Sequence, residues 1–61
     1  MIKVGDIVNG SHFPETVEIK QVESFGDEYF SVAATGRDSH TYYERMLERN
    51  ELLSLTKVKS E

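Results

Sequence analysis

The spacing of apolar residues in one segment constrains this chain more than any other feature. Residues 16–25, TVEIKQVESF, place Val17 and Ile19 in alternation with charged residues, which is the two-residue period of a strand with one buried face. Val22 is out of register with these two residues. We therefore predict a long strand with a bulge or sharp bend near Lys20–Gln21. Strands bent in this way let a small sheet fold over on itself into a barrel.

Turn-forming residues separate the other apolar segments and set the predicted order of elements. Gly26–Asp27 marks a tight hairpin turn, and Asn50 has the chemistry of a helix N-cap. The predicted elements are a turn leading into a short strand at 3–8, long strands at 16–25, 28–35 and 40–46, one helical turn at 50–54 and an edge strand at 55–60.

This order predicts an all-β fold. It is the layout of a small five-stranded antiparallel Src-homology-3-like barrel, with one short helical turn before the last strand. We expect residues 1–61 to form a single domain. The predicted core contains Val4, Ile7, Val17, Ile19, Val22, Phe30, Val32, Ala34, Tyr43, Met46, Leu47, Leu52 and Leu55.

Length and composition limit the classes of function that are open to the chain. It has 61 residues and no cysteine, so apolar packing alone must hold a small core together. The net charge of −4 disfavours nucleic acid as a partner without excluding it. No segment approaches the ~20 apolar residues of a membrane span. We expect a cytoplasmic monomer without membrane contact.

Residues that could support catalysis are few and form no familiar pattern. His12 lies in a loop and His40 lies beside a turn, and their spacing resembles neither a catalytic triad nor a metal-binding pair. We interpret both as surface residues. The sequence also lacks the phosphate-binding pattern GxxxxGK[ST]. We predict that the chain is not an enzyme and has no cofactor and no metal site.

Three of the six aromatic residues exceed what a small core needs, and they lead to a candidate binding site. We assign Phe25 to the core together with Phe30 and Tyr43. The candidate binding residues are Phe13, Tyr29, Arg37, Tyr42, Arg45 and Lys57. A shallow aromatic groove of this kind suits a peptide segment, stacked bases or a cationic side chain. The alternative is that the three extra rings cover a thin core.

Three stretches of the sequence resemble a known type of domain. They read VGDIVNG, FPETVEIKQVESFGD and TYYERMLERNELLSL. In this order they are similar to the small N-terminal domain of certain prokaryotic Swi/Snf-type helicase-like ATPases, over about residues 4–55. The resemblance rests on turn and core residues, and the chain has no ATPase motif. It implies a non-catalytic accessory domain, excised from or related to a larger motor, and no catalytic residue is carried over.

Three functional hypotheses follow. The first is an accessory domain of a nucleic-acid-dependent ATPase, making regulatory contacts with the ATPase core or another protein segment. The second is a small nucleic-acid-binding barrel that uses the candidate binding residues. The third is a freestanding peptide-binding module.

Overall fold

The computed structural model describes residues 2–59. Its elements in chain order are β1 (Ile7–Asn9), β2 (Val17–Phe25), β3 (Tyr29–Gly36), β4 (Tyr42–Glu48), α1 (Arg49–Leu53) and β5 (Thr56–Lys59). The predicted order of strands and helix is confirmed, while the third long strand begins and ends two residues later than predicted. The predicted final strand extends to Ser60, which lies outside the described residues.

The five strands form one antiparallel sheet in the order β4-β3-β2-β1-β5. The prediction of an all-β chain with one short helix is thereby confirmed. The prediction of a closed barrel is wrong, because β4 and β5 stand at opposite ends of this order and do not pair. The chain passes from β4 directly into α1. This helix packs against β3 and β4 and brings Leu52 into the core.

The bulge predicted in β2 is present. Ile19 pairs with Ala34 and Gln21 pairs with Ala33, so Lys20 is the extra residue between two consecutive pairs. Past the bulge, the partly buried Val22 packs against the core. The slip in the apolar period is therefore absorbed by the backbone of a single residue.

The core lies on one face of the sheet, which we call the inner face, and α1 and the β1–β2 loop contribute to it. The predicted core residues that are buried are Ile7, Val17, Ile19, Phe30, Val32, Ala34, Leu47, Leu52 and Leu55. Val22 and Tyr43 are partly buried and pack against this cluster. Sequence reasoning missed the buried residues Val8, Phe13, Ala33 and Asp6.

Three residues that we assigned to the core are exposed. Val4, Phe25 and Met46 are 61%, 53% and 59% exposed. Met46 precedes the buried Leu47, and neighbouring side chains of a strand point to opposite faces, so only one of the pair reaches the core. Val4 lies in the turn before β1, where no strand alternation directs its side chain inward.

The helix begins earlier than expected. Glu48, not Asn50, is the N-cap residue, and its backbone N–H donates a 2.8 Å hydrogen bond to the Glu51 carboxylate. This is one half of a capping box, in which a residue three positions into the helix reaches back to the cap. The prediction that Asn50 caps the helix is wrong.

Candidate functional site

The outer face of the sheet, opposite the core, carries a group of exposed apolar side chains. In the register of the strands, Phe25 lies opposite Tyr29, and Met46 lies on β4 one row further from the hairpin turn. The side chains of Phe25, Tyr29 and Met46 are about half exposed, at 53%, 48% and 59%. We call these three residues the hairpin-end patch.

Acidic residues border the hairpin-end patch. Glu48 completes the row of Phe25 and Tyr29, and Glu23 lies in the row of Met46. Glu44 follows in the next row on β4, and Asp27 and Glu28 form the adjoining turn. The Arg49 guanidinium donates to the Asp27 carbonyl at the same turn, so the border of this apolar patch carries five carboxylates and one cation.

A carboxylate from the long β1–β2 loop holds the β3–β4 turn in place. Glu15 accepts hydrogen bonds from the backbone N–H groups of Asp38 and Ser39, both at 3.0 Å, from the Tyr43 hydroxyl at 2.7 Å, and from the Ser39 hydroxyl. A Cβ at Gly36 would overlap this carboxylate, so the approach depends on glycine. We call these contacts the Glu15 latch.

The latch changes the acidity of Glu15. The Ser39 hydroxyl, then the Tyr43 hydroxyl and the backbone N–H groups of Ser39 and Asp38, lower its pKa from 4.5 to about 2 against a smaller opposing effect of desolvation. Donors that point at a carboxylate favour its ionised form. All of these donors come from the protein itself, so the Glu15 carboxylate has a structural role.

A concavity lies at the end of the outer face away from the hairpin turn. It has a volume of about 370 Å³ and is lined by Glu18, Lys20, Thr35, Gly36, Arg37 and His40. Glu18 forms ion pairs with Lys20 and Arg37, both at 3.3 Å. His40 adopts a left-handed backbone conformation with φ of 61°. We call this concavity the basic cleft.

Phe13 does not line a groove. It is 5% exposed and belongs to the core, where its ring meets the Tyr43 ring edge-to-face at 6.0 Å. The Arg45 guanidinium lies 5.8 Å from the Phe13 ring centre and 5.4 Å from that of Tyr43, and its Nε donates to the His12 carbonyl. Arg45 therefore fastens the β1–β2 loop through cation–π contacts and a hydrogen bond.

Lys57 is also engaged within the protein. Its Nζ lies 3.5 Å from a carboxylate oxygen of Asp6, which is fully buried and also binds Lys3 Nζ at 3.0 Å. A buried carboxylate requires such partners, because an uncompensated charge inside a protein is costly. Lys57 thus connects β5 to the turn before β1.

The six predicted binding residues do not converge on one groove. Tyr29 lies in the hairpin-end patch, and Arg37 lines the basic cleft. Tyr42 is 60% exposed and pairs with Thr35 at the border of that cleft. His40 is exposed as predicted, whereas His12 is half-buried, with Nε2 3.8 Å from a Glu51 carboxylate oxygen.

Sequence reasoning missed the contributions of Phe25, Met46 and Lys20 to these surfaces. A signal for two of them was present. Phe25 adjoins a hairpin turn, at the end of the sheet, and Met46 is half of an apolar pair in a strand, where alternation allows only one member to be buried.

Comparison with known proteins assigns the chain to no family. No family model, curated protein or solved structure matches the chain. Within residues 2–59, no three His, Cys, Asp or Glu side chains are placed to hold a metal ion. No helix in this part of the chain is long and apolar enough to cross a membrane. The fold and its surfaces define a small antiparallel β domain with one helix.

Proposed function

We propose that the chain is a non-catalytic protein-interaction domain that binds its partner through the hairpin-end patch. The observation that carries this proposal is the exposure of Phe25, Tyr29 and Met46 on one face of the sheet. Large apolar side chains gathered on a surface mark interaction sites more often than single exposed ones do. Tyrosine and methionine are enriched at such interfaces.

The border of the patch determines the chemistry of the partner. Glu23, Glu44 and Glu48 lie on the same face as the patch, so a partner segment with apolar side chains flanked by Lys or Arg fits best. Complementary charges of this kind steer association and disfavour wrong partners. The apolar contacts at the centre supply most of the affinity.

The wider setting that we propose is an accessory domain of a helicase-like, nucleic-acid-dependent ATPase. The resemblance of residues 4–55 to the small N-terminal domains of such motors supports this setting. The partner segment would then belong to the ATPase core, and the contact would be regulatory. We also propose that the sheet of this chain has a Src-homology-3-like arrangement that stays open between β4 and β5. The chain would then act as a cytoplasmic monomer.

The open reading frame of the gene tests the ATPase setting separately from the binding surface. A frame that continues into helicase motifs supports an accessory domain. A frame that encodes these 61 residues alone contradicts it and favours a freestanding peptide-binding module that uses the same patch.

Peptide selection tests the binding surface. Peptides selected from a random library on the native chain should combine apolar residues with Lys or Arg. The double substitution Phe25→Ser with Met46→Ser should weaken their binding at least about tenfold, because truncating a buried interface anchor costs about 2 kcal/mol. Val58→Ser is the matched control, since Val58 is an equally exposed apolar residue on β5.

The control should bind the selected peptides as the native chain does, and thermal denaturation should confirm that all variants remain folded. Selected peptides that bind the double variant with native affinity would contradict the proposed surface, as would a selection that yields mainly acidic peptides.

A further inference from the structure

We propose that the basic cleft binds a nucleotide unit, with its phosphate on Lys20 and Arg37 and its base on Tyr42. This site is separate from the hairpin-end patch and goes beyond the protein-interaction function. The two sites lie at opposite ends of β2 and β3.

The basic cleft brings two cationic side chains together on an acidic protein. The chain as a whole has a net charge of −4, yet Lys20 and Arg37 line the cleft, and among the described residues of its lining only Glu18 is acidic. The Glu15 carboxylate lies against Gly36, which also lines the cleft, but it accepts its hydrogen bonds from Asp38, Ser39 and Tyr43. Two cationic side chains held side by side attract anions locally, whatever the net charge of the chain.

Glu18 holds the two cations of the cleft weakly. Both ion pairs measure 3.3 Å, which is long for a charge-assisted hydrogen bond. Lys20 and Arg37 are about half exposed, and Glu18 is 28% exposed. Ion pairs at such exposure contribute little, so a phosphate can take the place of the Glu18 carboxylate at small cost.

The cleft is preformed by the backbone around it. The bulge in β2 sets Lys20 apart from the regular pairing, and the backbone N–H of Arg37 donates to the Thr16 carbonyl at 2.9 Å. The Glu15 latch fixes the turn between Arg37 and His40. A preformed site binds more tightly because less ordering is required on binding.

Tyr42 provides a stacking surface for the base. Tyr42 lies opposite Thr35, which lines the cleft, and the residue is 60% exposed. An exposed aromatic ring beside a phosphate site offers a stacking surface for any nucleobase. The cleft volume of about 370 Å³ falls in the range of small-ligand sites.

The guanidinium of Arg37 and the ammonium group of Lys20 together suit a phosphate, since the first gives a planar fork of donors and the second a point charge.

Titrations followed by NMR of the backbone amides, at low ionic strength, test this proposal. The probes are inorganic phosphate, AMP and a short single-stranded oligo-dT. We expect chemical-shift changes at Lys20, Thr35, Arg37 and His40 with all three probes. Arg37→Gln should weaken AMP binding about tenfold, because it removes a charge-assisted contact.

Three further variants sharpen the test. Glu18→Gln should tighten binding several-fold, because it removes the competing carboxylate while keeping the shape of the side chain. Tyr42→Ala should weaken AMP binding and leave inorganic phosphate unchanged. Arg49→Gln is the control for loss of one positive charge, since Arg49 lies near the hairpin turn and donates to the Asp27 carbonyl, and it should bind as the native chain does.

The oligonucleotide distinguishes a free nucleotide from a strand. An affinity that increases with strand length and falls steeply with salt identifies a strand, whereas equal affinities for AMP and oligo-dT identify a single nucleotide unit. Shift changes outside the cleft, or equal weakening by Arg37→Gln and Arg49→Gln, would overturn the proposal. Peptide binding at the hairpin-end patch is independent of either result.

Discussion

At the scale of single residues, His40 has the most unusual backbone conformation. Its φ of 61° is the only positive value outside glycine among residues 2–59, and a left-handed conformation costs an L-residue roughly 1–2 kcal/mol. The conformation orients a turn that is held by the Glu15 latch. It places His40 at the basic cleft.

This geometry predicts an unusual order of stabilities. We expect His40→Gly to give a free energy of unfolding about 1 kcal/mol higher than His40→Ala, because glycine adopts the left-handed conformation without a Cβ penalty. Urea denaturation followed by circular dichroism measures the difference. At Glu44, an exposed strand position with negative φ, the order should reverse, and alanine should be the more stable variant. The same order at both positions would contradict the interpretation of the His40 backbone.

Other residues show where sequence reasoning ends. Phe13 lies in a loop rich in turn-forming residues, and it is buried because it meets Tyr43 and Arg45, about thirty positions further along the chain. No local pattern encodes that contact. Asp6 is buried for a similar reason, since one of its partners, Lys57, lies at the other end of the chain.

At the scale of elements, alternation predicted most of what the structure contains. The period of β2 and β3, the turn between them and the bulge at Lys20 followed from the order of apolar and charged residues. The hairpin-end patch did not, because alternation assigns a side chain to a face without stating which face is covered. Phe25 and Met46 are predicted core residues that lie instead on the uncovered face.

The Glu15 latch joins the β1–β2 loop to the β3–β4 turn. The pKa of Glu15 predicts how the stability of the folded protein depends on pH. The pKa of Glu15 is about 2 in the folded protein and 4.5 for an ordinary glutamate. The folded state therefore releases this proton more readily than the unfolded state. The resulting stabilisation is fully present above pH 4.5 and is lost as the pH falls towards 2.

The variant Glu15→Gln should remove that dependence. We expect the native free energy of unfolding to fall more steeply between pH 4.5 and 2 than that of Glu15→Gln, as measured by urea denaturation at a series of pH values. Glu23→Gln is the matched control, because Glu23 is an exposed glutamate on β2 outside the latch, and its slope should follow the native one. Parallel slopes for the native chain and Glu15→Gln would show that the latch does not stabilise the fold.

At the scale of the whole molecule, the sheet does not close between β4 and β5, and its strands therefore differ in how firmly they are attached to the fold. The long strands β2, β3 and β4 pair along most of their length. By contrast, within residues 2–59 β5 pairs only with the three-residue β1, and it stands at the edge of the sheet. The ion pair between Lys57 and the buried Asp6 is a further attachment of β5. Segments with few attachments open locally before the whole protein unfolds.

Native-state hydrogen exchange should reveal this difference. We expect the amides of β5 to exchange faster than those of β2 and β3, and Lys57→Met to accelerate exchange in β5 roughly three- to tenfold, because it removes one partner of a buried carboxylate. Lys20→Met is the matched control, since Lys20 pairs with the more exposed Glu18, and it should leave β5 unchanged. If Lys57→Met accelerates exchange equally in β2, β3 and β5, the sheet opens as one cooperative unit and β5 is not a separately opening edge.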